Sequence, residues 1–239
     1  MVKGLGSVGW RSFFVQAAKN YRSMLGMGYA FSELPLHKKL DPAEAKPVLE
    51  ESAEFFNTMP YFVPLTVGMT ARARQNGMTE DQVRGIKNTV LGPFGALGDA
   101  FYWATLKPAA AMLGVLFALL ISPLAGVIAL LALFNLFHLP LRLCGAYLGY
   151  NLFTKVPGIL ERLKPYKIIA FLQLLIGISL GLTAVGILGN FAFAGEHISF
   201  ATGLGAGIAL GVVGSLIRLP LWTMWFAMLA FAIGISLLL

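Results

Sequence analysis

The chain has 239 residues, of which 57% are hydrophobic and only 12% charged, and its formal net charge is +7. A soluble domain carries about twice that charged fraction, so the composition excludes an ordinary water-soluble protein and points to the membrane. The positive charge is read as cytoplasmic loops beside anionic lipid, not as a nucleic-acid surface, and the single Cys144 as a small apolar packing residue outside any disulfide, metal or redox motif.

The opening MVKGLGSVGWRSFF has basic residues but no continuous apolar run or small-residue cleavage site, which argues against a secretory signal and keeps the N-terminus in the cytoplasm. Gly4, Gly6 and Gly9 satisfy G-x-G-x-x-G, yet no strand precedes them and no nucleotide site is read there. Residues 10 to 28 put Trp10, Phe13, Phe14, Ala17, Tyr21, Met24 and Leu25 on one stripe, predicting an amphipathic helix. A second helix is expected from Asp41 as cap, Pro42 in the first position and Glu44 completing a capping box, with Ala45, Val48, Leu49, Ser52, Ala53 and Phe56 on its stripe. Thr79 with Gln82 repeats the device and opens a short helix carrying Val83, Ile86, Val90 and Leu91. Residues 1–91 therefore read as amphipathic helices on the cytoplasmic side, lying against the bilayer surface or a partner protein.

Apolar stretches follow at about Ala109 to Ile121, Pro123 to Phe137, Ile168 to Phe193, Ser199 to Ile217 and Leu219 to Leu239. Spanning takes about 20 residues. The last three qualify; the first two are short, divided by Ser122-Pro123, and read as a tight hairpin of spans, a broken helix or a re-entrant pair. Twelve of the Lys and Arg residues precede residue 108, five lie between Arg142 and Lys167, one is Arg218, and none lies in the GEHIS loop at 195 to 199. The positive-inside rule puts the N-terminus, the 138–167 loop and Arg218 in the cytoplasm, with GEHIS and the C-terminal end outside. Gly177 with Gly181, and Gly203, Gly207 and Gly211, recur every four residues and leave grooves for close helix packing. The expected fold is an all-α integral membrane protein with about three to five transmembrane helices. Its order is the N-terminal helices, a re-entrant or broken-helix element with the short apolar pair at 92–143, a cytoplasmic loop at 144–167, and transmembrane helices at 168–239.

His37, His138 and His197 are far apart and lack a carboxylate or cysteine at ligand spacing, so they read as surface or interfacial residues, without a metal site or a catalytic pair. Glu196 and His197 are read as a solvated outer loop. The stretch GPFGALGDAFYWATLKP at 92–108 is different, because it holds Asp99 among glycines, prolines and aromatics. A lipid-facing acid near a helix centre costs about 3 kcal/mol on insertion scales, so such residues face protein or a wet cavity. Alternatively the segment stays at the membrane surface, where Asp99 caps the Ala100 to Thr105 turn. Its company favours a site: Gly95 and Gly98 permit close backbone approach, Tyr102 and Trp103 offer rings, and Thr105 and Lys107 supply donors. These are the parts that hold a sugar, whose hydroxyls bond carboxylates and whose C–H face lies on aromatic rings. A second cluster, FFNTMPYF at 55–62, sets Asn57 and Thr58 between aromatics and before Pro60; Thr58 reads as a helix end, Asn57 as a site residue.

The blocks RSFFVQAAKNYRSMLGMGYAFSELPLHKKL at 11–40, EFFNTMPYF at 54–62, GPFGALGDAFYWATLKP at 92–108 and FNLFHLPLRLCGAYLGYNL at 134–152 carry a resemblance. Across about 140 residues the sequence resembles the IID component of the mannose/fructose/sorbose family of the bacterial sugar phosphotransferase system. The resemblance implies a bacterial cytoplasmic (inner) membrane protein that pairs with a IIC subunit in a hetero-oligomer and forms the pathway for a hexose-type sugar. Phosphate is then supplied by a separate IIB protein, charged in turn by IIA, so this chain is no enzyme and takes no cofactor. It further implies a mobile substrate-holding core, with the GD block as a re-entrant element beside the sugar. On this expectation Asp99 accepts sugar hydroxyls, Trp103 or Tyr102 stacks, and Asn57, Thr105 and Lys107 shape the site. Family members usually read FNTHP where this chain has Met59, and the loop at 153–167 is shorter than in many relatives. The alternative function is a non-transporting membrane scaffold or regulator.

Overall fold

The computed structural model describes residues 4–190 and the isolated positions 205, 209, 212, 213 and 223. The expected spans at 199–217 and 219–239, the GEHIS loop, and Gly203, Gly207 and Gly211 lie outside the described residues. The architecture is all-helical: α1 (Leu5–Arg11), α2 (Gly26–Glu33), α3 (Pro42–Ser52), α4 (Val63–Gln75), α5 (Glu80–Gly98), a π-helical segment (Asp99–Leu106), α6 (Lys107–Leu120), α7 (Pro123–Leu152), α8 (Val156–Arg162) and α9 (Pro165–Asn190). The chain divides into two compact units, one of residues 1–101 with 135–164 and one of 102–134 with 165–239.

In the first unit, α4 is the centre. Ten of its thirteen residues are buried, including both of its threonines, whose hydroxyls turn back onto the Phe62 and Val67 carbonyls of their own turns. Leu5, Val8, Val15, Leu25, Tyr29 and Phe56 pack around Val63, Val67 and Ala71, and Ala146 and Tyr150 of α7 close the core. Glycines let backbones meet there: a Cβ at Gly149 would overlap the Leu65 carbonyl, and one at Gly68 the Ala146 carbonyl. The N-terminal helices thus pack on one another and on α7, where the sequence had them lying on an outside apolar surface.

The expected amphipathic helix over 10–28 does not form. After α1 the chain takes a short 3-10 turn at Ser12–Phe14 and then runs irregularly to α2. Asn20 breaks it, its Oδ1 accepting from the backbone N–H groups of Arg22 and Ser23 at 2.9 Å each, which is the local bonding by which Asn competes with a helix. Met24 follows at φ +52°, and Gly28 lies so close to the Val15 carbonyl that no side chain fits. The stripe is consequently divided: Trp10, Phe14 and Tyr21 are exposed, while Leu25 is buried together with Val15, which lies off the stripe.

α3 begins where expected, with Asp41 extended before Pro42, though the Asp41 side chain makes no capping bond and Phe56 lies beyond the helix end. At Thr79 the capping box is complete: Gln82 N–H donates to Thr79 Oγ1 at 3.4 Å and Thr79 N–H to Gln82 Oε1 at 3.0 Å. The helix it opens is long. It continues through the π segment and α6 as 41 residues from Glu80 to Leu120, and a further 40 run from Pro123 to Arg162; both are long and apolar enough to cross a membrane. Residues 100 to 120 alone extend about 30 Å, the thickness of the hydrocarbon core.

The second unit resolves the short apolar pair into a tight hairpin. Ile121 and Ser122 form the turn, Ser122 Oγ accepts from the Ala125 N–H at 3.2 Å, and Pro123 starts α7. Beyond the turn Gly114 and Gly126 cross backbone on backbone, the contact small residues make possible inside a bilayer. The helix α9, 26 residues long, packs on α6 with Leu172, Ile176, Gly177 and Ser179 buried. Cys144 is exposed on α7, not packed: its neighbours Gly145 and Ala146 take the inward positions.

Candidate functional site

Two of the clusters singled out in the sequence come together in the first unit. The segment 51–59 runs along one face of α5, and the α5 positions it meets, 84, 87, 91, 95 and 98, follow helical spacing. Thr58 Oγ1 donates to the Leu91 carbonyl at 3.3 Å, Gly95 faces the Thr58 backbone, and the Phe62 and Phe94 rings lie 5.0 Å apart. Met59, 1% exposed, lies across Gly98, where any Cβ would collide with its side chain. Gly98 is therefore glycine because Met59 occupies the place of a side chain, and the close approach expected of the GD block is made to the FNTMPYF block. Thr58 lies in the bend between α3 and Pro60, not at a helix end, and its hydroxyl is engaged with α5. Asn57 and Asp99, flanking these contacts, are both exposed, and neither makes a side-chain hydrogen bond or ion pair among the described residues.

Asp99 is not a cap. Its φ and ψ of −65° and −45° are helical, and its N–H bonds to the carbonyls of Ala96 and Gly95, so the helix passes through it without a start or stop. Only the bonding pattern changes there, to the wide turns of the π segment Asp99–Leu106. Pro108 lies just beyond and lacks the N–H that would close an α turn onto Ala104, which gives the widening a local cause. Wide turns of this kind concentrate at functional sites.

The remaining sequence-stated residues belong to the second unit. Tyr102 and Thr105 are buried, at 3% and 0% exposure, and pack the π segment. Trp103 is exposed with the Lys107 Nζ over its ring at 5.2 Å, a cation–π pair on an accessible face.

A buried charge network, unread in the sequence, underlies the segment 51–59. Glu33, fully buried at the end of α2, takes bonds from Ser52 of α3 and from the Arg74 guanidinium of α4. Arg74 also reaches Glu51 at 3.5 Å and Glu80 at 2.9 Å. Burial alone would raise the Glu33 carboxyl, but the facing His37 and Arg74 hold it below its usual value of 4.5. Burial and the Glu33 charge together push the Tyr29 phenol well above its ordinary range, so it stays protonated and shares a 2.7 Å bond with Thr70. His37 is thus no surface residue: its Nε2 is buried 3.7 Å from Glu33. His138 is part-buried, its ring 4.4 Å from Tyr61 and 5.9 Å from Phe13, beside Arg142 on the next turn of α7. The available signal for the network was that Glu33 is the sole acid before Asp41. Among the described residues, no three of His, Cys, Asp and Glu converge as metal ligands.

The model of one protein family, described as the PTS system mannose/fructose/sorbose family IID component, matches residues 2–202. A PTS system mannose-specific EIID component of Escherichia coli K12 is 34% identical over 149 residues, covering 59% of this chain and 52% of that protein. A PTS system sorbose-specific EIID component of Klebsiella pneumoniae is 33% identical over 148 residues, with 59% and 54% covered. The fructose permease IID component of Bacillus subtilis 168 is 31% identical over 147 residues, with 59% and 53% covered. The matched stretch thus spans about half the length of these relatives. Among solved structures, one titled "Structure of membrane protein" aligns with a TM-score of 0.66 at 24% identity, and one of the mannose transporter ManYZ with microcin E492 with 0.58 at 22%; each covers 99% of this chain and 96% of the other. At those identities the likeness establishes the membrane fold.

Proposed function

Because the chain belongs to the mannose/fructose/sorbose family of phosphotransferase-system IID components, we propose that it is the IID subunit of a sugar permease, paired with a IIC subunit in the bacterial cytoplasmic membrane. Together they form the path for a hexose-type sugar, which a separate IIB protein, charged by IIA, phosphorylates. In this reading the N-terminus lies in the cytoplasm, which the distribution of Lys and Arg supports.

The observation that carries this reading is the convergence of the FNTMPYF and GD blocks, which leaves an amide at Asn57 and a carboxylate at Asp99 exposed and without partners of their own. With residues 100–120 long enough for the hydrocarbon core, Asp99 falls at its edge, where a carboxylate stays open to water and to a solute arriving from it. Carboxylate and amide together accept from and donate to sugar hydroxyls. Tyr102 and Thr105, being buried, act through the shape of the π segment. For Trp103 and Lys107 the reading keeps stacking and shaping, each tested singly in the same assay by replacement with Ala or Gln.

Sugar accumulation by cells co-expressing the cognate IIC and phosphocarrier proteins tests the reading. Asp99→Asn, which keeps shape and removes charge, is expected to abolish accumulation while the chain still co-purifies with IIC. Unchanged accumulation in that variant, or absence of any IIC partner after mild detergent extraction, overturns it in favour of a scaffold.

A further inference from the structure

The last carbonyls of a helix have no partners within it. At the end of α3 those of Glu51 and Ser52 are met by a buried cation: Lys87 of α5, 2% exposed, sends its Nζ to the Glu51 carbonyl at 3.1 Å and the Ser52 carbonyl at 3.3 Å. The Glu51 carboxylate lies 3.5 Å from the same nitrogen, and the Tyr29 and Phe56 rings face it at 4.9 and 5.6 Å. Two hydrogen bonds to carbonyls and one ion pair thus hold the ammonium, beside a pair of aromatic rings. A positive charge also suits the negative end of the α3 dipole. Burying an ammonium is costly without such partners, so an apolar residue would fill this position more simply if packing were its whole purpose.

What Lys87 holds is the root of the segment that carries Asn57. From Ser52 the chain goes to Phe56, which is fully buried and backbone-paired with Ser23 and Leu25, then to Thr58 on Leu91 and Met59 on Gly98. Along the α5 face the partly exposed Arg84 meets Glu51 and Glu54 first, Lys87 is the first buried contact, and Gly98 is the last, one residue before Asp99. We propose that Lys87 is a positioning residue for the sugar site: by fixing the end of α3 against α5 it sets the register of Asn57 relative to Asp99. The inference rests on the functional reading above, and it assigns Lys87 no contact with sugar.

Two measurements test it. In the co-expressed complex, Lys87→Met is expected to raise the KM for sugar uptake about tenfold with the amount of assembled complex little changed, and Lys87→Arg, which keeps a cation with several donors, to recover part of the loss. Should Lys87→Met fail to accumulate, Lys87→Met/Glu51→Gln, which leaves no lone buried charge, is measured in its place. The second measurement needs no sugar: dipolar electron paramagnetic resonance between labels at Asn57→Cys and Asp99→Cys, in a Cys144→Ser background, is expected to show one narrow distance that broadens or shifts when Lys87 is replaced. An unchanged distance distribution, an unchanged KM, or failure of both Lys87 variants to accumulate overturns the positioning role. Silence of Asp99→Asn with a distance that does respond to Lys87 instead overturns the sugar reading beneath it.

Discussion

In the first unit α4 and α7 meet at glycines, but α2, α3, α4 and α5 meet around charge, with Glu33, Glu51, Arg74 and Lys87 in one buried network. In the second Gly114 meets Gly126 backbone on backbone, and α6 packs on α9. The difference lies in what each arrangement tolerates. A buried ionic network admits a single set of partners, because removing one member strands the others in a low dielectric. A glycine crossing asks only for closeness and is spoiled by volume alone. The first unit is therefore fixed in register, as a segment presenting Asn57 and Asp99 requires, and the second in distance.

The largest effect is expected where that contrast is sharpest. Glu33→Ala takes from Arg74 its fully buried partner, leaving Glu51 and Glu80, and should destabilise the first unit by about 3 kcal/mol, read as early proteolysis of residues 1–101 in detergent. A change below about 1 kcal/mol would mean the network is dispensable and the contrast false. Acid should act in the same direction. The Glu33 carboxyl is held below its unfolded value of 4.5, so its contribution is complete above that pH and is lost as pH falls through the lower folded value. The second unit, whose described residues include no Asp or Glu, should outlast the first on acidification. An intermediate effect is expected from Gly114→Val, which forces a branched side chain into the α6–α7 crossing at about 1–3 kcal/mol; thermal unfolding should show a loss that does not vary with pH or salt. The smallest is Thr79→Ala, which removes one side of the capping box and should cost about 1 kcal/mol, seen as faster hydrogen exchange confined to the first turn of α5.

Local features of both units were legible in sequence. The Thr79 capping box, the Asp41-Pro42 start, the Ser122-Pro123 break and the apolar run opening at Ile168 each depend on neighbours a few residues apart. What escaped depends on distance along the chain. The stripe over 10–28 has the right period, but its fate is decided by Asn20 bonding its own backbone and by Gly28 meeting Val15. A lone Glu33 between Ser32 and Leu34 looks like any surface acid until Arg74, 41 positions later, is placed beside it. For the candidate site, the residue types at 57 and 99 were readable, and so was the glycine at 98. That Met59 is the group covering that glycine was not, since contact between residues 39 positions apart is set by how α4 turns the chain back.

One property of the first unit reaches into its biosynthesis. Its central helix, Val63–Gln75, is enclosed partly by Ala146 and Tyr150, which leave the ribosome more than seventy residues later. Chains emerge from their N-terminus onward, so the early helices remain an open half-shell while the entire 102–134 hairpin is being synthesised, and Arg74 and Glu33 can pair long before the shell is shut. Translation speed through that hairpin thereby sets how long an unfinished, apolar-lined core waits for its final wall.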